Sequence, residues 1–210
     1  MSLSLLVRLA FGGAIAFALS VPVSAHAADV ASGESVAVAA PAPAAPPTDA
    51  DVDQFVDWMG LGDAIPAILR TELAKVPEMR ALSAQQQACM IDVLRPSMRS
   101  MLRSSFRELL GEREIFLAWA EFVETDAGRK LFAFVRAGVE AKIKDQAAPD
   151  PAAFFADIGE QEQMQMAQFM MTPAAAVMNK PFPDMQPPAE MFEQFEQEAR
   201  TRCGIDLPKG

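Results

Sequence analysis

The stretch Phe122-Val123-Glu124-Thr125-Asp126-Ala127-Gly128-Arg129-Lys130 constrains the fold of this chain more than any other. Before it, Ile115, Phe116, Trp119, Phe122 and Val123 recur at helical spacing, and after it Leu131, Val135, Gly138, Val139 and Ile143 do the same. Thr125 between them reads as an N-cap, because its hydroxyl oxygen can accept from a backbone N–H that the first helical turn leaves without a partner. Asp126 then sits in that first turn, where negative charge suits the positive end of the helix dipole. Gly128 inside a helix start costs about 1 kcal/mol relative to alanine, so its use is close approach of two helices. The spacing predicts a tight antiparallel helical hairpin over Ala118–Val139, with Phe122, Thr125 and Gly128 as its corner.

The other periods are helical too. Val52, Phe55, Val56 and Met59 lie at i, i+3, i+4 and i+7, and Gly60-Leu61-Gly62 then breaks the pattern. Asp63 is positioned to cap the next helix, which would bury Ile65, Ile68, Leu69 and Leu73 and stop before Pro77. Ser83 and Gln86 form a capping box ahead of Cys89, Met90, Leu94 and Met98, and the pattern continues through Met101, Leu102, Phe106, Leu109 and Leu110 to Gly111. Pro96 inside it predicts a kink or a restart. Asp150-Pro151 opens a short helix, Glu160–Met171 is another, and Glu190–Arg202 is the last, closed by Gly204. Ala167-x-Phe169-x-x-Thr172-x-Ala174 repeats Ala120-x-Phe122-x-x-Thr125-x-Ala127 at an offset of 47 residues, which suggests a second hairpin. The expected fold is a single compact all-α domain of antiparallel helical hairpins over residues 51–204, with a tail at 205–210.

The chain ahead of residue 51 reads differently. Leu9–Leu19 is an uncharged apolar run behind Arg8, and Ala25-His26-Ala27 has the form of a cleavage site, so residues 1–27 read as a secretory signal peptide. The run is short of the roughly 20 residues that a membrane-spanning helix needs. Residues 28–50, rich in Ala and Pro, read as a linker with too little bulky apolar surface to fold. The expected location is the periplasm.

Export has chemical consequences. His26 is the only histidine, so the cleaved chain would lack imidazole for acid–base catalysis or metal ligation. Cleavage also removes Arg8 and no acid, leaving 17 Lys and Arg against 28 Asp and Glu. A chain that acidic makes a poor nucleic-acid binder, because affinity there comes mostly from neutralising phosphates. There is no Ser-x-x-Lys and no nucleophile elbow, and the sequence points to no catalytic residue, cofactor or enzyme activity.

Three features stand out against this background. Cys89 and Cys203 are an even pair in an oxidising compartment, read either as a disulfide or as two buried thiols. Arg95, Arg99, Arg103 and Arg107 recur every four residues and, drifting about 40° per step, make a slanted basic stripe. The stripe suits an anionic lipid or an acidic partner, or else is paired internally. If the two cysteines bond and their helices run antiparallel, Glu196, Glu193 and Glu190 would face Arg95, Arg99 and Arg103. Lastly, Met164, Met171 and Met178 recur every seven residues in a methionine-rich stretch. They read as a buried stripe, as an adaptable apolar groove for a peptide or lipid, or as soft ligands for Cu(I).

The Phe122–Lys130 corner resembles the aromatic-x-x-Ser/Thr-x-x-Gly-Lys/Arg corner of a family of small exported bacterial all-helical proteins classed as a domain of unknown function. That family favours tyrosine where Val123 stands and proline where Asp126 stands, and the second copy here carries Thr172-Pro173 but Ala175 in place of the glycine. The resemblance covers the corner and its two helices. It implies a helical periplasmic domain and supplies no catalytic residue. The expected function is therefore a non-enzymatic module that interacts with an envelope protein or another apolar partner, the alternative being a methionine-rich protein that binds an apolar ligand or Cu(I).

Overall fold

Capping side chains open four of the helices in the computed structural model, which describes residues 44–183 and 189–207. Thr48 opens α1 (Asp49–Trp58), with its hydroxyl accepting from Asp51 N and the Asp51 carboxylate accepting from Thr48 N at 2.8 Å. Ser83 and Gln86 make the same reciprocal pair at the start of α4 (Ala84–Leu110), as their spacing predicts. Between these lie α2 (Leu61–Leu73) and the single turn α3 (Pro77–Arg80). Asp63 does not cap α2: the N-cap lies three residues earlier, at the left-handed Gly60 (φ 71°), where a β-carbon would press on the Arg136 side chain. Then follow α5 (Arg113–Val123), α6 (Asp126–Ile143), α7 (Pro151–Ala156), α8 (Glu160–Met170), a 3-10 helix (Pro173–Asn179) and α9 (Ala189–Cys203).

Every regular element among the described residues is a helix, and together they build one all-α domain. The expected signal peptide, and the linker as far as residue 43, lie outside the described residues. The helical body begins at Asp49, slightly ahead of the expected boundary at residue 51. Even the residues before it are engaged, since Arg113 N donates to Ala45 O at 2.8 Å. At the other end Gly204 (φ 65°) closes α9 and Ile205 N donates back to Ala199 O, which tucks Ile205 into the core.

The longest element, α4, runs unbroken through Pro96, where a kink or restart is expected. Proline in a helix interior costs about 3 kcal/mol. Here Met90, Ile91, Val93 and Leu94 are buried before it and Met98, Met101, Leu102 and Phe106 after it, and each large apolar side chain removed from water contributes about 1.5–3 kcal/mol. Packing on both sides of the proline outweighs the local penalty.

Helices α1, α2 and α9 pack along α4, and α9 is also bonded to it: Cys89 and Cys203 form a disulfide with Cα atoms 5.7 Å apart. The bond closes 114 residues, for which loss of unfolded-chain entropy gives about 5 kcal/mol. Replacing both cysteines with serine should lower the unfolding free energy by up to about that amount in denaturant titrations, with the fold retained at low denaturant.

Asp51 couples the first helix to α5. Burial raises its pKa, but the Thr48 N–H and hydroxyl and the Arg113 guanidinium (Nε–Oδ2 3.1 Å) outweigh that, and the net displacement is downward. A carboxylate whose folded pKa is depressed stabilises the fold above its unfolded pKa and loses that contribution as pH falls through the folded value. Stability should therefore decline below about pH 4, and Asp51→Asn should weaken that decline relative to wild type when the chain is unfolded by urea across pH 2–6.

Candidate functional site: two helix corners and the face beside them

The corner at Phe122–Gly128 is closed by its threonine and glycine, as their spacing predicts. Thr125 Oγ1 donates to Phe122 O at 2.7 Å and accepts from Gly128 N at 3.0 Å, joining the end of α5 to the start of α6. A β-carbon on residue 128 would overlap the Phe122 carbonyl oxygen and stand 2.8 Å from Val123 Cα. Only glycine fits so close an approach.

The second copy of the pattern is a structural repeat. Helices α5 and α8 have the same length, 11 residues, and begin and end 47 positions apart. Thr172 Oγ1 donates to Phe169 O at 2.7 Å, as Thr125 does to Phe122. The copies part at the next step. Ala175 stands where Gly128 stands, the Thr172 side chain caps no N–H, and the chain turns into a 3-10 helix instead of an α-helix. An alanine β-carbon has no room in the tighter corner, which accounts for the wider course.

The two corners pack against each other. Phe122 and Phe169, equivalent in the repeat, stack with centroids 4.0 Å apart and planes 13° from parallel. Trp119 Nε1 of the first copy donates to Ala174 O of the second at 3.2 Å, and Gln165 Oε1 of the second accepts from Ala127 N of the first at 3.1 Å. Ala127 and Ala174 are themselves equivalent, and both are completely buried. Lys130 adds an outer tie from α6 to the start of α8, reaching Glu162 at 2.8 Å and Asp157 O at 3.0 Å. Lys130 holds the Glu162 carboxyl below its usual range, helped by the Gly159 N–H. Phe122, Thr125 and Gly128 are thus committed to architecture.

The arginine stripe divides. Arg103 grips Asp53 with two parallel bonds of 2.9 and 2.7 Å, and Arg107 pairs with Asp49. The bond to Asp53 holds the Arg103 guanidinium pKa above its usual value. Arg95 turns to Asp92 on its own helix at 2.8 Å, and Arg99 makes no ion pair among the described residues. The acids that meet Arg103 and Arg107 come from α1, not from Glu190, Glu193 or Glu196 on α9. Although α9 does pack on α4, it does so through Phe195 and Ala199, while α1 lies over the basic side. A sequence signal for this was present, because Asp49 and Asp53 are four residues apart, as are Arg103 and Arg107. Thr48 and Asp51, three apart, likewise carried a capping signal.

The three heptad-spaced methionines do not form one stripe. α8 ends at Met170, so the seven-residue period stops describing a single face before Met178, which packs partly buried on the core from the 3-10 helix. Met164 and Met171 point away from the core, 55% and 88% exposed, while Phe169 is the residue α8 buries.

The exposed strip around Met164 and Met171 contains Glu160, Gln161, Ala167 and Gln168, so only its first residue is charged. At the equivalent positions α5 places Arg113, Glu114, Glu121 and Glu124 around Leu117. One copy carries an ordinary solvated face, and the other a nearly neutral face with two thioethers. No family model, no curated protein and no solved structure matches the chain. No helix among the described residues is long and apolar enough to cross a membrane.

Gly128→Ala should destabilise the fold by about 3 kcal/mol or more, since the new methyl group meets backbone that cannot move aside. Ala175→Gly, at the wider corner, should change stability by no more than about 1 kcal/mol. Thermal and urea unfolding of the two variants side by side checks the asymmetry.

Proposed function

We propose that this chain is an exported, non-catalytic helical module of the cell envelope, which binds an apolar segment of a partner protein along the outward face of α8. The observation that carries the reading is the divergence of the two copies: helices equivalent in the repeat present a charged face in α5 and a nearly neutral, methionine-bearing face in α8. Single exposed apolar residues need no explanation. Two flexible, polarisable thioethers on a strip with a single charge, in a chain with a formal charge of −10, favour contact with apolar side chains of varied shape. Export is supported by the form of residues 1–27, and the resemblance of the Phe122–Lys130 corner to an exported helical family agrees with it. The pairing of Arg103 and Arg107 with α1 argues against the basic stripe as the binding surface.

The test is capture from envelope extract with immobilised wild-type protein beside a Met164→Gln/Met171→Gln variant of equal thermal stability. A partner retained by wild type and depleted about tenfold on the variant, a loss of about 1.4 kcal/mol, is the expected outcome. Equal retention by both would reject the α8 face. Cu(I) titration under reducing conditions that finds binding tighter than about micromolar, and its loss in the same variant, would favour the metal-binding alternative instead.

A further inference from the structure

The methionines of the described residues fall into three environments. Met59, Met79, Met90, Met98 and Met101 are buried in the core, with Met90 completely enclosed. Met166, Met170, Met178 and Met191 are partly covered and packed against that core. Met164 and Met171 alone are exposed, and Met171, the residue that terminates α8, is nearly as open as in an extended chain.

We propose that Met171 is the position at which the folded domain takes up oxidising equivalents as methionine sulfoxide, with Met164 second. The reaction with hydrogen peroxide needs only approach to sulfur. A thioether lone pair attacks one peroxide oxygen, the S–O bond forms as the O–O bond breaks, and the departing hydroxide takes the proton from the new S–OH group and leaves as water. Sulfur loses two electrons and peroxide gains them. The product is polar, so its cost depends on where it forms. At Met90 or Met98 a sulfoxide would sit in the core without a hydrogen-bond partner, which the packed core resists. At Met171 the new oxygen projects into water. The backbone there is also secured independently of the side chain: Met171 N donates to Gln168 O, and Thr172 N and Oγ1 both donate to Phe169 O. Oxygen added to Met171 therefore leaves the corner and the Phe122–Phe169 stack in place. The assignment rests on exposure alone and holds whether or not the α8 face binds a partner.

Exposing the folded, disulfide-bonded protein to millimolar hydrogen peroxide and following each methionine by peptide mass spectrometry tests this. The Met171 sulfoxide should accumulate at least about tenfold faster than that of any buried methionine, with Met164 between them. Circular dichroism and the unfolding midpoint should be unchanged when Met171 is fully converted. Met171→Leu, which preserves volume and apolar character, should remove the fastest phase and leave the slower ones as they were. Comparable rates at Met171 and the core methionines, loss of helix with the first oxygen, or persistence of the fastest phase in Met171→Leu would each overturn the assignment.

Discussion

The indole of Trp119 is the contact on which the rest of this structure depends. Its ring meets Phe55 of α1 at 5.6 Å, Phe132 of α6 at 5.7 Å and Phe169 of α8 at 4.5 Å, all edge to face. Its N–H reaches Ala174 O in the 3-10 helix. One side chain thus joins the first helix, both members of the first hairpin and both members of the second. Aromatic pairs of this kind add about 0.5–1.5 kcal/mol each beyond the area they bury. A buried indole N–H without an acceptor would cost about 1–3 kcal/mol, so the Ala174 carbonyl holds the second hairpin at a defined height against the first. Around this hub the aromatic cluster continues through Phe55 to Phe106, and through Trp58 to a parallel stack on Phe116.

A single atom group separates the two hairpins. Without a β-carbon at 128, α5 and α6 close to van der Waals distance and α6 runs on for 18 residues. With one at 175, the corner widens into a 3-10 helix that ends after 7 residues, tied to α4 by Lys180 Nζ donating to Leu109 O. The longer hairpin therefore builds core, packing against α2 as well as its own partner. The shorter one covers that core with Phe169, Ala174, Ala175 and Val177. Its helix α8 buries Phe169 alone where α5 buries Phe116, Trp119 and Phe122, and its outer face carries fewer charges.

What could be read from sequence was what short-range physics determines. The caps at Ser83, Thr125 and Asp150 were legible because acceptor and donor lie within three residues of each other. The Gly128 corner was legible because close approach leaves few alternatives to glycine. Pro96 was misleading, since its penalty is local and the burial that overrides it comes from three other helices. The partners of Arg103 and Arg107 sit 50 and 58 residues upstream, and only the matched four-residue spacing hinted at them. The methionine period failed because it was extended across Thr172, where the helix had already ended. Of the candidate site, the residues were in view but their exposure was not: which methionines face water depends on where Phe169 finds its stack.

The central claim is that the two corners stabilise the domain as one unit through Phe122 and Phe169. A double-mutant cycle measures it most directly, with Phe122→Leu, Phe169→Leu and the pair unfolded in guanidinium chloride with the disulfide intact. A coupling of about 1 kcal/mol between the two positions is the expected result. Effects that add to within about 0.3 kcal/mol would contradict it, and would mean that the Phe122–Phe169 stack does not couple the two hairpins.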